Sequence, residues 1–160
     1  MKLLIKQRVF SWTDTYDVYD EAGNPVYYVK AAFFSFGHQI HVYEKSTNRE
    51  VGGVFQKLMT FMPTFEVNIN GSSVGMIKKQ FSFFKPQYEI DFNGWRVEGD
   101  FLGWDYDVYS GSDVVMHISK ELFSWGDTYV IDINNPQDEL MGLLLVIAID
   151  AVNCSNDYRI

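Results

Sequence analysis

Polar and apolar positions alternate along this chain in short bursts, the signature of strands with one face turned inward. Tyr16-Asp17-Val18-Tyr19-Asp20 runs into the turn cluster Glu21-Ala22-Gly23-Asn24-Pro25, and Val26-Tyr27-Tyr28-Val29-Lys30 returns from it. Thr64-Phe65-Glu66-Val67-Asn68-Ile69 meets Asn70-Gly71, and Val74-Gly75-Met76-Ile77-Lys78 follows. An Asn-Gly step between two such runs predicts a hairpin, because both residues accept the positive φ of a type I′ turn. Asn93-Gly94 and Gly111-Ser112-Asp113 mark further turns. The strand candidates number about twelve.

A repeat underlies the alternation. Phe10-Ser11-Trp12-Thr13-Asp14-Thr15-Tyr16 recurs as Phe123-Ser124-Trp125-Gly126-Asp127-Thr128-Tyr129, with six of seven positions matching. A looser unit recurs more often: a strand begins with Val, ends in Lys, and gives way to an aromatic-rich corner. Val51 to Lys57 precedes Phe61-Met62-Pro63, Val74 to Lys78 precedes Phe81-Ser82-Phe83-Phe84, and Val114 to Lys120 precedes Phe123-Ser124-Trp125. Each unit reads as one hairpin of a meandering sheet, with the lysine keeping its head in water.

Residues 136–152 break this pattern. Asn135 suits an N-cap and Pro136 the first helical position. Asp138 and Glu139 favour the positive end of the helix dipole. The run Leu140-Met141-Gly142-Leu143-Leu144-Leu145-Val146-Ile147-Ala148-Ile149 is then unbroken. A helix apolar on every face must be buried on every face. A membrane span needs roughly 20 apolar residues, so this shorter run predicts a core helix. About eight strands can close a barrel filled by side chains alone, and a wider barrel needs something inside. Strand count and helix composition therefore predict one object: a single mainly β domain over 1–160, a closed, roughly twelve-stranded antiparallel barrel around one central C-terminal helix. The helix is expected to emerge into water at Asp150. The sharper alternative buries Asp150 at the barrel mouth, paired with a basic side chain or with backbone N–H groups.

Composition agrees and adds limits. The chain has 160 residues, 47% hydrophobic and 17% aromatic, and the aromatic share favours strands. Its net charge of −8 argues against nucleic acid as a partner. One cysteine, Cys154, allows no internal disulfide. The apolar run in Met1-Lys2-Leu3-Leu4-Ile5-Lys6 is too short for a signal peptide, so a cytoplasmic location is expected.

Candidate chemistry is sparse. His38 and His41 stand three apart, which puts them on opposite faces of a strand, so they and His117 read as ordinary polar residues and no metal site is expected. Cys154 lacks a neighbouring histidine and reads as an incidental thiol. Asp105 and Asp107 share a face flanking Tyr106, and with Asp14/Asp17 they read as solvated strand carboxylates. Gly52-Gly53 lacks the Lys-Ser/Thr ending of a phosphate loop and predicts a bulge or a close approach of another backbone. No cofactor is expected.

With the hairpin units, the Phe-Ser-Trp repeat and the late helix Leu140–Asp150 in view, the chain resembles the LURP-one-related family. That resemblance implies the tubby C-terminal-like fold, a twelve-stranded barrel enclosing a C-terminal helix, to which phospholipid scramblases are similar. It implies little about chemistry. Tubby domains bind phosphoinositide head groups through surface lysine and arginine, and the nearest local candidates for ligand binding are Lys78 and Lys79 with Lys85. The expected function is a non-enzymatic binding module. It would engage a ligand, a lipid head group or a protein through the barrel surface or rim, with at most weak membrane-surface contact. An enzyme with an unrecognised site and a purely structural or oligomeric protein are the alternatives.

Overall fold

A computed structural model describes residues 1–6, 15–34, 37–80, 87–124 and 126–154. Twelve strands precede one helix. They are β1 (Lys2–Ile5), β2 (Thr15–Tyr19), β3 (Pro25–Phe34), β4 (Gly37–Glu44), β5 (Glu50–Gln56), β6 (Thr64–Ile69), β7 (Ser72–Gln80), β8 (Gln87–Asp91), β9 (Trp95–Asp100), β10 (Asp105–Ser110), β11 (Asp113–Phe123) and β12 (Gly126–Ile133). A 3-10 turn, Pro136–Asp138, leads into α1 (Glu139–Cys154).

All pairings are antiparallel and form one sheet in the order β8-β7-β6-β5-β4-β3-β2-β1-β12-β11-β10-β9. Two meanders meet where β1 pairs with β12. The barrel is nearly closed. β8 and β9 are consecutive in sequence yet stand at the two ends of the hydrogen-bonded order, and the line between them is a seam. Asn70-Gly71 makes the expected hairpin, with φ of 49° and 81°. Asn93-Gly94 also turns the chain, with φ of 59° and 65°, but β8 there ladders onto β7 and β9 onto β10, so the two strands separate beyond the turn. Aromatic side chains fill this end of the seam: Phe92 and Trp95 are buried and meet edge to face at 5.6 Å.

The strand alternation works as predicted. Tyr16 and Val18 of β2, Ile40 and Val42 of β4, Phe65 and Val67 of β6, and Val108 of β10 point inward and are buried. Their inner surface closes on α1, whose residues from Leu143 to Ile149 are at most 1% exposed. Burying each Leu, Ile or Val contributes about 1.5–3 kcal/mol, which makes the helix a main source of cohesion. The helix lies closest to β5, β6, β7 and β12. Gly52 makes room for it: a Cβ there would stand 2.8 Å from a Leu144 methyl. Gly142 of the helix similarly yields to the Met116 side chain of β11.

The helix starts as expected. The Asn135 side chain accepts a hydrogen bond from the Gln137 N–H at 3.1 Å, and Pro136 opens the turn. Its other end departs from expectation. α1 continues to Cys154, and Asp150 is 8% exposed instead of emerging into water.

Candidate functional site

The antiparallel order divides the molecule into two ends. At the entry mouth, where α1 begins, lie the turns at 20–24, 45–49, 70–71 and 111–112. At the exit rim, where α1 ends, lie the connections at 57–63 and 101–104.

The exit rim carries a polar centre inside an apolar border. Asp150 faces Tyr16 of β2, Tyr88 of β8 and Tyr106 of β10. Burial pushes the pKa of all three phenols up, and the Asp150 charge raises it further, so all three hydroxyls keep their protons. The last turn of α1 then ties the seam. The Tyr88 hydroxyl donates to Asn153 Oδ1, and Asn153 Nδ2 donates to the Phe101 carbonyl at 3.4 Å. The Tyr88 and Phe101 rings meet edge to face at 4.7 Å, and Phe101 packs on Tyr106 at 5.5 Å. One asparagine thus bridges β8 and the segment following β9.

Around this centre the border is apolar. Leu58, Met59 and Phe61 in the β5–β6 connection, Leu102 after β9 and Leu122 near the end of β11 are each more than half exposed. The β5–β6 connection is held by its own hydrogen bonds, Lys57 N–H to the Thr64 carbonyl at 2.9 Å and the Thr64 hydroxyl to the Met62 carbonyl at 3.0 Å. Met59 stands fully exposed with φ of 61°, a conformation that a non-glycine residue adopts at a cost. The Lys79 N–H bonds the Pro63 carbonyl at 3.0 Å and fixes this connection against β7. At the entry mouth only Met1 and Val114 are exposed large apolar residues among those described, and both are less exposed.

The lysines singled out in the sequence do not form one grip. Lys78 is exposed on the outer face of β7 beside Glu89, whereas Lys79 is half-buried on the inward-facing side beside Tyr88. Strand alternation separates them. Lys85 lies outside the described residues, as do Asp14, the Phe10–Thr13 half of the repeat, Trp125 and the Phe81–Phe84 corner. Cys154 closes α1, and its side chain is also outside them.

The histidines sit apart. His38 is half-buried where β4 begins, and burial lowers its pKa to about 4. His41 lies on the outer wall, 2.5 Å from Glu50 and edge-on to the Phe55 ring at 5.2 Å. His117 lies on another part of the wall between Asp107 at 2.7 Å and Asp105 at 3.8 Å. Asp105 and Asp107 do share a face, as their spacing requires. Among the described residues no group of three His, Cys, Asp or Glu side chains could hold a metal ion. Gly52 and Gly53 lie within β5 beside a register shift opposite Val42 and Tyr43. Gly52 admits the helix and Gly53 lies under the Phe55 ring, and a Cβ at either would also stand 3.0 or 2.9 Å from the carbonyl oxygen of Asn68 or Ile40, so a neighbouring backbone comes close, as expected, together with these side chains.

The entry mouth holds a cavity of about 380 Å³ between the β2–β3 turn, the end of β4 and the first residue of α1. Tyr27, Glu44 and Glu139 line it. Burial raises the Tyr27 pKa first, and the charges of Glu139 and Glu44 add to it, Glu139 also accepting the phenol's hydrogen bond. Alternation in the sequence places Tyr27 on a strand, but nothing local there brings Glu139 to it. The helix has to return through the barrel first.

This architecture coincides with a known sequence family. Residues 1–150 match the LURP-one-related family. The chain belongs to it. This LURP-one-related protein is 31% identical over 152 residues to the uncharacterised protein YxjI of Bacillus subtilis strain 168, covering 95% of this chain and 93% of that one. Its fold is similar to the X-ray structure of a protein from Arabidopsis thaliana, with a TM-score of 0.63 and 19% identity, over 95% of this chain and 90% of the other. At that identity the likeness concerns the fold. No helix among the described residues of the LURP-one-related chain is long and apolar enough to cross a membrane.

Proposed function

We propose that this LURP-one-related protein is a non-enzymatic, cytoplasmic binding module. It engages a lipid head group or a protein through the exit rim, and weak contact with a membrane surface belongs to the same reading. The observation that carries it is the set of apolar side chains at positions 58, 59, 61, 102 and 122, exposed together on one rim. Exposed apolar groups gathered on one end of a molecule mark an interaction surface. The interior supports the same reading, since α1 fills the space that a barrel substrate would need. Lys78, paired across from Thr64 at the start of β6, stands next to this border and supplies positive charge for an acidic head group, while Lys57 beside it is held by Glu66 at 3.3 Å.

The test places a photo-crosslinking residue at position 61, 102 or 107, the last on the outer wall, in the intact protein inside cells. Adducts, whether with lipid or with protein, are expected from positions 61 and 102 and not from 107. Equal labelling from rim and wall, or none from the rim, overturns the reading.

A further inference from the structure

We propose that the entry-mouth cavity is a binding site for an organic cation, a primary ammonium or guanidinium group on a short aliphatic stem. Its volume, about 380 Å³, falls in the range of small-ligand sites. Two carboxylates reach it from different elements. Glu44 ends β4 and stands directly across from Tyr27 of β3, while Glu139 is the first residue of α1. Both are partly buried, and among the described residues neither is ion-paired.

The lysine in its lining is directed elsewhere. Lys45 also lines the cavity, but its ammonium lies 3.0 Å from Asp17 and 5.4 Å from the centre of the Tyr28 ring, on the outer wall. The remaining lining suits the stem of such a ligand: Pro25, Val26 and the Tyr27 ring are apolar.

Glu139 has a structural reason to be where it is, since a carboxylate at a helix N-terminus is favoured. Glu44 has no such reason. One of its oxygens accepts the Thr47 hydroxyl at 2.7 Å, an exposed turn contact that leaves its charge uncompensated. Burial first, and then the negative field of both carboxylates, push the Tyr27 pKa up. The surroundings reinforce it: Asp20 and Glu21 after β2, Asp113 at the start of β11 and Asp138 in the 3-10 turn all sit at this mouth, on a chain of net charge −8. A concave site in which carboxylates outnumber cations draws ligands of positive charge.

A guanidinium matches this arrangement by bonding one carboxylate while its plane lies against the phenol ring. Such a group can come from a free small molecule or from an arginine side chain of a partner. The cavity lies at the opposite end from the exit rim, so its test stands apart from that of the binding-module reading.

The test follows backbone amide shifts of the full chain by NMR during titration with agmatine, putrescine and a capped Gly-Arg-Gly peptide. Saturable shifts at residues 26, 27, 44 to 46 and 139 are expected, with dissociation constants on the order of 1 mM or below. Glu44→Gln should weaken binding about tenfold by removing one charge from the site. Asp113→Asn, at the same mouth but outside the cavity, should leave it unchanged. Glu44 lies at a strand end and leaves α1 untouched, so that variant keeps its fold. Tyr27→Phe is the second probe and should weaken the guanidinium ligands less than Glu44→Gln does. Agmatine binding without peptide binding identifies a free small molecule as the source, and binding of both admits a partner's side chain. Shifts spread evenly over the acidic turns, shifts insensitive to Glu44→Gln, no saturation by any of the three, or saturation by magnesium or calcium alone would each overturn the proposal.

Discussion

Asn153 is the smallest change that should loosen the barrel at a chosen place. Its side chain accepts from the Tyr88 hydroxyl and donates to the Phe101 carbonyl at 3.4 Å, so it joins the two sides of the seam. The first bond contributes about 1 kcal/mol net. The second is long and adds a few tenths at most. Asn153→Ala also places a better helix former in the last turn of α1, which returns about 0.5 kcal/mol. The single variant should therefore lose only about 0.5–1 kcal/mol, roughly 1–4 °C in Tm for a domain of this size. The sharper measurement is a double-mutant cycle with Tyr88→Phe. The helix-propensity gain occurs on both arms and cancels, leaving a coupling of about 1 kcal/mol. Amide hydrogen exchange supplies the location: protection should fall in β8 and β9 and hold in β3 and β4. Additivity of the two substitutions within about 0.3 kcal/mol, or a uniform rise in exchange, would refute the clasp.

Other outcomes follow from single positions. Gly75 has φ of 156°, and a Cβ there would stand 2.1 Å from Phe92 Cβ and 2.2 Å from the Asp91 carbonyl oxygen. Gly75→Ala should cost about 3 kcal/mol or more in urea unfolding, and an unchanged midpoint would show that the β8–β9 turn can move away. Burial lowers the His38 pKa to about 4, below its unfolded value, so the unfolded chain binds more protons between pH 6.5 and 4. Its contribution is complete above pH 6.5 and lost as pH falls toward 4. His38→Gln should flatten the Tm profile over that window, and an identical profile would count against burial of the ring. Asp150→Asn keeps the shape but removes the charge facing three phenols, and should lower stability by about 1–3 kcal/mol at neutral pH. Unchanged Tm there would mean that the carboxylate contributes nothing to the exit-rim centre.

The parts of this fold that could be read from sequence are those whose physics is local. Asn70-Gly71 specifies its hairpin by backbone conformation alone, and Asn135-Pro136 specifies a helix start by capping alone. The apolar run from Leu143 to Ile149 demands burial on all sides, whatever surrounds it, and that demand led to the barrel. What remained hidden depends on where strands meet after long excursions. Asn93-Gly94 turns the chain as its sequence says, yet the strands beside it separate because β7 and β10 hold them more extensively. Asp150 misled for a related reason. A carboxylate near the end of an apolar run reads as the point where a helix meets water, and the convergence on it of Tyr16, Tyr88 and Tyr106 from three distant strands has no local signal.

The same distinction governs the two ends of the molecule. Lysine at strand ends and aromatic residues after them form a sequence pattern, so a rim richer in apolar side chains was within reach of sequence reading. Lys78 and Lys79 drew attention because they are adjacent, but adjacency in a strand separates side chains onto opposite faces. Glu44 and Glu139 are 95 positions apart and drew none, yet the return of α1 through the barrel brings them to one cavity. A filled barrel cannot bind inside, so selection for binding can act only on its ends and outer wall. At the ends the helix termini contribute side chains that no strand supplies: Glu139 at one, Asp150 and Asn153 at the other. The helix that occupies the interior is therefore also the element that gives each mouth its polar chemistry.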